Sequence, residues 1–136
     1  MSSRVRIALA AGVVVAGWGM ALSVPKVSAA SGKSAVASGE ELYRKRACAM
    51  CHSLEPGKNL VGPSLAGIYG KPVGSVSGYT YSRGLAAMKG TWDEKRLDAW
   101  LANPSAVIPG TKMAIKVASP QERAAIIAYL KAKPVK

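Results

Sequence analysis

Cys48-Ala49-Met50-Cys51-His52 places two thiols three residues apart, with an imidazole directly after the second. On the last turn of a helix, residues three and four apart share a face, so these three side chains converge on one object. CxxCH is the attachment signature of a c-type haem, whose vinyl groups take up the two thiols as thioethers. His52 then lies under the iron as an axial ligand. A Cys48–Cys51 disulfide or a thioredoxin-like redox pair shares the CxxC core. A thioredoxin, however, needs strands around its motif, and the flanks here read as helix and loop.

The rest of the chain narrows the field. Its 136 residues are 49% hydrophobic and include 2 Cys, 1 His and no Phe, which fits one small domain and excludes a large multidomain enzyme. Two thiolates and one imidazole cannot complete a tetrahedral structural zinc site. Lys and Arg number 19 against 7 Asp and Glu, a formal +12, so an electrostatic partner is expected to be acidic.

Residues 1–30 differ in composition from the remainder of the chain. Arg4 and Arg6 precede an uncharged run from Ile7 to Val24, followed by Pro25 and Ser28-Ala29-Ala30, the order of a secretory signal with cleavage after Ala30. The alternative is an uncleaved N-terminal membrane anchor, because the apolar run just reaches bilayer-spanning length. Either way the domain is expected outside the cytoplasm. Setting aside Arg4, Arg6 and Lys26 leaves sixteen basic against seven acidic side chains, so the excess, now +9, belongs to the domain itself. Residues 31–38 read as a flexible leader and residues 39–136 as the haem domain.

Three helix starts share a hydroxyl with Glu three residues later: Ser38 with Glu41, Thr91 with Glu94, and Ser119 with Glu122, the last with Pro120 at the first helical position. They predict helices over about 39–49, 92–102 and 120–132, with a shorter one around 82–88. The stretch from Ser53 to Thr80, punctuated by Gly57, Gly62, Gly67, Gly70, Gly74, Gly78 and three prolines, is mostly loop. The reading is all-α. So few short helices and such long loops bury little apolar surface for their chain entropy, and a large flat apolar cofactor would fill the middle.

With its only His used, the iron needs a sixth ligand, and His/Met ligation is the established electron-transfer arrangement. Met1 and Met20 lie in the targeting segment, and Met50 points away from the face its flanking cysteines share. Met88 ends a short predicted helix, where a core gap-filler is the plainer role. Met113 follows Ile108-Pro-Gly-Thr-Lys112, a non-helical segment able to present a side chain from a loop. The reading favours Met113.

From Gly39 to Lys131 the chain resembles the class I cytochromes c, in particular their mitochondrial-like bacterial branch. GEELYRKRACAMCH is similar to the first helix running into the haem site, and VGPSLAGIYG (61–70) to the loop whose proline, here Pro63, offers its carbonyl to the iron-bound histidine. GYTYS (78–82) and Thr91-Trp92 resemble the segments that contact a haem propionate, which implies that role for Tyr81 and Trp92. NPSAVIPGTKM (103–113) is similar to the ligand loop, with Thr111 beside a propionate. IIAYL (126–130) is similar to the terminal helix that crosses the first near a glycine, here Gly39.

Departures accompany the resemblance. Tyr43 stands one residue farther from Cys48 than the family's aromatic, so Leu42 and Tyr43 compete for the inward position. Lys71 occupies a place where relatives carry Arg near a propionate. Trp100 stands where many relatives place a Tyr near the ligand sulfur, which argues against a hydroxyl bond to Met113 and leaves an indole donor open. Ser105 and Ala106 replace two lysines common just before the ligand loop.

The implied fold is a small class I cytochrome c, three main helices, a short helix and loops wrapped around one covalent haem c. The implied function is single-electron shuttling in the periplasm rather than catalysis. Partners would be acidic patches on a quinol-oxidising complex or dehydrogenase as donor and on an oxidase or reductase as acceptor, with Lys45, Lys58, Lys112 and Lys116 near the haem edge. Other readings are a membrane-anchored carrier dedicated to one complex, a haem peroxidase, and a gas-binding cytochrome. Export argues against nucleic acid.

Overall fold

The computed structural model describes residues 29–133. Among them are six helices: α1 (Ala29–Lys45), α2 (Cys48–Cys51), α3 (Arg83–Ala87), α4 (Glu94–Ala102), α5 (Pro104–Val107) and α6 (Pro120–Lys131). No strand occurs among these residues, only the isolated bridges His52–Asn59 and Pro72–Thr91, so the architecture is all-α. Apart from its last two residues, the expected targeting segment lies outside the described residues. No described helix is long and apolar enough to cross a membrane.

The fold is organised by α1 packing against α6, with α4 also against α6. α6 buries Ile126, Ile127, Tyr129 and Leu130 on its inner face. The crossing with α1 is close because Gly39 has no side chain: a Cβ there would stand 2.7 Å from both Ala125 C and Tyr129 Cβ. Such a distance requires one backbone to retreat.

Three expectations change. Residues 31–38, expected as a flexible leader, lie inside α1, so the Ser38 box does not start the helix. Val36 packs against the core from this segment, and that burial outweighs the local capping pattern. Secondly, the first helix ends at Lys45 rather than near Ala49. Ala47 takes a left-handed conformation (φ 59°), and the attachment motif starts a separate short helix. Thirdly, α4 is capped by Asp93, whose carboxylate accepts from Arg96 N at 2.8 Å, and not by Thr91. Residues 91–92 are held extended because Trp92 N donates to Lys71 O and Gly70 N donates to Trp92 O. At α6, Ser119 caps the helix, accepting from Glu122 N at 3.3 Å, with Pro120 at its first position.

Candidate functional site

One apolar cavity of about 400 Å³ lies between the helices, within the size range of sites that hold a cofactor. Cys48, Cys51 and His52 enter it from α2 and the residue after it, while Met113 enters from the loop between α5 and α6. Pro63, Tyr81, Trp92 and Thr111 line the same cavity. Met50 is 76% exposed, and Met88 packs against the core without lining the cavity. Among the described residues, Met113 is therefore the one methionine that lines this cavity.

The left-handed turn at Ala47 is what turns the motif inward. It ends α1 and starts α2 at a new angle, with Met50 N donating to Ala47 O and His52 N to Cys48 O. Tyr43 then fixes the exit. It is the buried residue of the Leu42–Tyr43 pair, and its hydroxyl donates to His52 O at 2.7 Å. The two cysteines are not joined in a disulfide. Burial raises the Cys48 thiol above its ordinary pKa, so it is held protonated and uncharged.

The imidazole is oriented from two sides. His52 Nδ1 stands 2.8 Å from Pro63 O, where the protonated ring nitrogen donates to the carbonyl. Gly62 lies flat against the ring: a Cβ there would fall 2.6 Å from Nδ1. Burial holds His52 below its ordinary pKa against the opposing effect of the Pro63 bond, so the ring is neutral and Nε2 keeps its lone pair.

In the loop between α5 and α6, Met113 N donates to Thr111 Oγ1 at 3.4 Å, and Thr111 N to Ile108 O. The sulfur accepts a bond from Trp100 Nε1 at 3.1 Å. Trp100 in turn meets Trp92 edge-on, with ring centroids 5.5 Å apart. Lys112 closes the loop over Tyr79, donating to Thr80 O at 2.9 Å with its ammonium 5.8 Å from the Tyr79 ring centre. Tyr81 accepts from Val76 N at 3.3 Å through its hydroxyl.

These features fit a haem. The walls are apolar side chains such as Ile68, Leu85, Leu97 and Leu101, two thiols and an imidazole converge on one side, and a thioether enters from a different loop. Gly62 leaves the cradle against the imidazole that any side chain would occupy.

Four lysines sit differently from the roles the sequence suggested. Lys71 does not line the cavity, because its ammonium donates to Ala66 O at 3.0 Å. Of the four lysines expected at the haem edge, only Lys112 lines the cavity. Lys45 pairs with Glu41 at 2.6 Å and Lys58 with Glu55 at 2.9 Å. Sequence reasoning also missed Arg123, which gathers Asp98 and two backbone carbonyls beyond the ligand loop. Its position two turns before the end of a helix gave no local signal.

A sequence model of the family described as "Cytochrome c" matches residues 36–133. The chain is 51% identical over 85 residues to "Cytochrome c2 iso-2" of Magnetospirillum fulvum, covering 62% of this chain and 88% of that protein. It is 41% identical over 98 residues to "Cytochrome c-type cyt cy" of Rhodobacter capsulatus, covering 71% of this chain and 48% of that one. Among solved structures it is similar to cytochrome cH from Methylobacterium extorquens, with a TM-score of 0.67, 41% identity, and coverage of 72% and 98% of the two chains.

Proposed function

The chain belongs to the cytochrome c family and is an electron carrier with a covalent haem c, and on that premise we propose the parts its own residues play. Cys48 and Cys51 would hold the group as thioethers, and His52 and Met113 would ligate its iron. When bound, the haem supplies a one-electron ferric/ferrous couple. Each side chain around it then has one task.

Pro63 and Gly62 set the plane of the His52 ring, and the bond at Nδ1 raises the donor strength of Nε2. The Met113 thioether favours the softer ferrous state, and the apolar walls disfavour the extra positive charge of the ferric state. Both effects raise the reduction potential. Tyr81, Trp92 and Thr111 bring two hydroxyls and an indole N–H to the same cavity, a set suited to two propionates.

With His52 and Met113 both ligating the iron, a small substrate would have no place to bind. Outer-sphere transfer follows, so the protein carries electrons rather than catalysing a reaction on a bound molecule. The reading is supported above all by one arrangement: His52 and Met113, from distant parts of the chain, line a single cavity together with both thiols.

The donor is a quinol-oxidising complex or a dehydrogenase and the acceptor an oxidase or reductase, met through acidic patches in the periplasm. A +9 domain carrying two ionised propionates retains about +7, which favours such docking. The apolar run Ile7–Val24 keeps a second reading in view, a carrier tethered to the outer face of the cytoplasmic membrane.

Intact mass with optical spectroscopy of the purified native protein tests these assignments. One covalently added haem, a start near Ser31 and a weak far-red band in the oxidised form are expected. Pigment that washes off in acidified acetone rejects the thioethers, a missing far-red band rejects Met113, and a retained residue 1–30 segment selects the tethered carrier.

A further inference from the structure

The peptide group between Pro63 and Ser64 is hydrogen-bonded at both ends. Its carbonyl, Pro63 O, accepts from His52 Nδ1 at 2.8 Å, and its N–H, on Ser64, donates to Asn59 Oδ1 at 2.9 Å. From this geometry we propose that Asn59 is a positioning residue for the axial imidazole, acting on His52 through that one planar peptide and setting how strongly its Nδ1–H is held. The inference rests on His52 being the iron ligand.

A peptide group is a single resonance-coupled unit, so a change at its N–H is felt at its oxygen. An acceptor on the N–H draws the proton outward and moves electron density toward the carbonyl oxygen. Bonds joined in such a chain strengthen one another by about 10–30% each. Asn59 therefore makes Pro63 O the better acceptor, the His52 ring gains negative character, and Nε2 becomes the stronger donor. A stronger donor favours the more positive ferric iron. Asn59 thus opposes the Met113 thioether and the apolar walls, both of which raise the potential.

The Asn59 amide is held where this requires. Its backbone pairs with His52 in an isolated bridge, and its Nδ2 donates to Ser77 O at 2.9 Å. Ser64 N–H only donates and Ser77 O only accepts, so the two partners settle which end of the amide faces which. A carboxylate would lose the Ser77 bond, and an aliphatic side chain would lose both. Ser64 is itself fixed, because its hydroxyl donates to Glu55 O at 2.6 Å and accepts from Ala66 N at 3.2 Å. These bonds set the plane of the peptide between Asn59 and the imidazole.

Two substitutions separate this relay from a simple tie between loops. Asn59→Leu keeps the branched shape and removes both bonds, whereas Asn59→Asp keeps the acceptor and removes the donor to Ser77 O. In the loaded, reduced Leu variant the His52 Nδ1–H resonance should move upfield and the midpoint potential should rise. About a twofold change in the one-electron equilibrium is expected, roughly 18 mV at ~59 mV per tenfold. In the Asp variant the resonance should stay at or downfield of the parent's, and the midpoint should not rise. A folded Leu variant with both readouts unchanged, or an Asp variant that shifts as Leu does, overturns the proposal and leaves His52 ligation standing. A parent whose His52 ring protons lack the upfield shift imposed by a haem overturns both. If neither variant folds, NMR of the parent decides: scalar coupling across the hydrogen bond between the Ser64 amide nitrogen and the Asn59 side-chain carbonyl carbon is expected, and its absence overturns the proposal.

Discussion

Arg123 of α6 grips Asp98 of α4, with Nε 2.6 Å and Nη2 3.4 Å from the two carboxylate oxygens. Its remaining nitrogen, Nη1, donates to Val117 O at 3.0 Å and to Ala118 O at 2.8 Å. One guanidinium thus ties the far end of the Met113 loop to two helices. The Arg123 side chain is only 12% exposed, whereas Asp98 is 46% exposed, so the carbonyl bonds carry more of the effect than the ion pair.

Arg123→Gln should therefore cost about 1–3 kcal/mol in denaturant unfolding of the holoprotein. Arg123→Lys should recover only part of it, because an ammonium cannot reproduce the fork. The far-red band should also be lost at a lower denaturant concentration in the Gln variant than in the parent. Equal band stability in both would show that the clamp does not reach the ligand.

Two glycines of α1 provide a matched pair. Nothing lies within 4 Å of a Cβ at Gly32, whereas a Cβ at Gly39 meets α6. Gly32→Ala should stabilise the protein, or leave it unchanged, by up to about 1 kcal/mol through helix propensity. The same change at Gly39 should destabilise it by about 1–3 kcal/mol through overpacking. Thermal unfolding of the two holoproteins measures the difference, and equal shifts would refute the close crossing.

Gly62→Ala sets a methyl against the imidazole while the backbone there remains in a conformation open to any residue. The effect is therefore steric. The His52 ring must tilt away from Pro63 O, and a loss of about 1–3 kcal/mol is expected. Spectra and midpoint potential should both move, unlike those of Gly32→Ala.

Electron exchange with an acidic partner should slow steeply as ionic strength rises, since the Debye length shrinks to about 10 Å at 0.1 M salt. Stopped-flow rates across a salt series measure it. Lys112→Gln should reduce the low-salt rate more than Lys45→Gln or Lys58→Gln, because those two charges already pair with Glu41 and Glu55. A rate flat in salt would reject electrostatic docking.

Local patterns in the sequence carried much of this structure. The spacing of Cys48, Cys51 and His52, the non-helical approach to Met113 and the Ser119 cap are each complete within a few residues, so they could be read directly. Where the reading slipped, a distant contact outweighed a local preference. The Ser38 box lies inside α1 because the preceding turn packs on the core through Val36. Thr91 gives way to Asp93 because a backbone pairing with residues 70–72 holds it extended. α5 has only four residues and no capping side-chain bond, too little pattern to find. Lys71 was placed by resemblance, and a carbonyl five residues earlier, Ala66 O, holds it instead.

The seam at Gly39 joins the opening helix of the described chain to its last. Contacts this far apart along the chain form late, because the intervening loop must first be closed. Until α6 is present, α1 lacks the principal surface it packs on. A message truncated before the α6 codons yields a polypeptide with every porphyrin-anchoring side chain in place and nothing to shut the far wall.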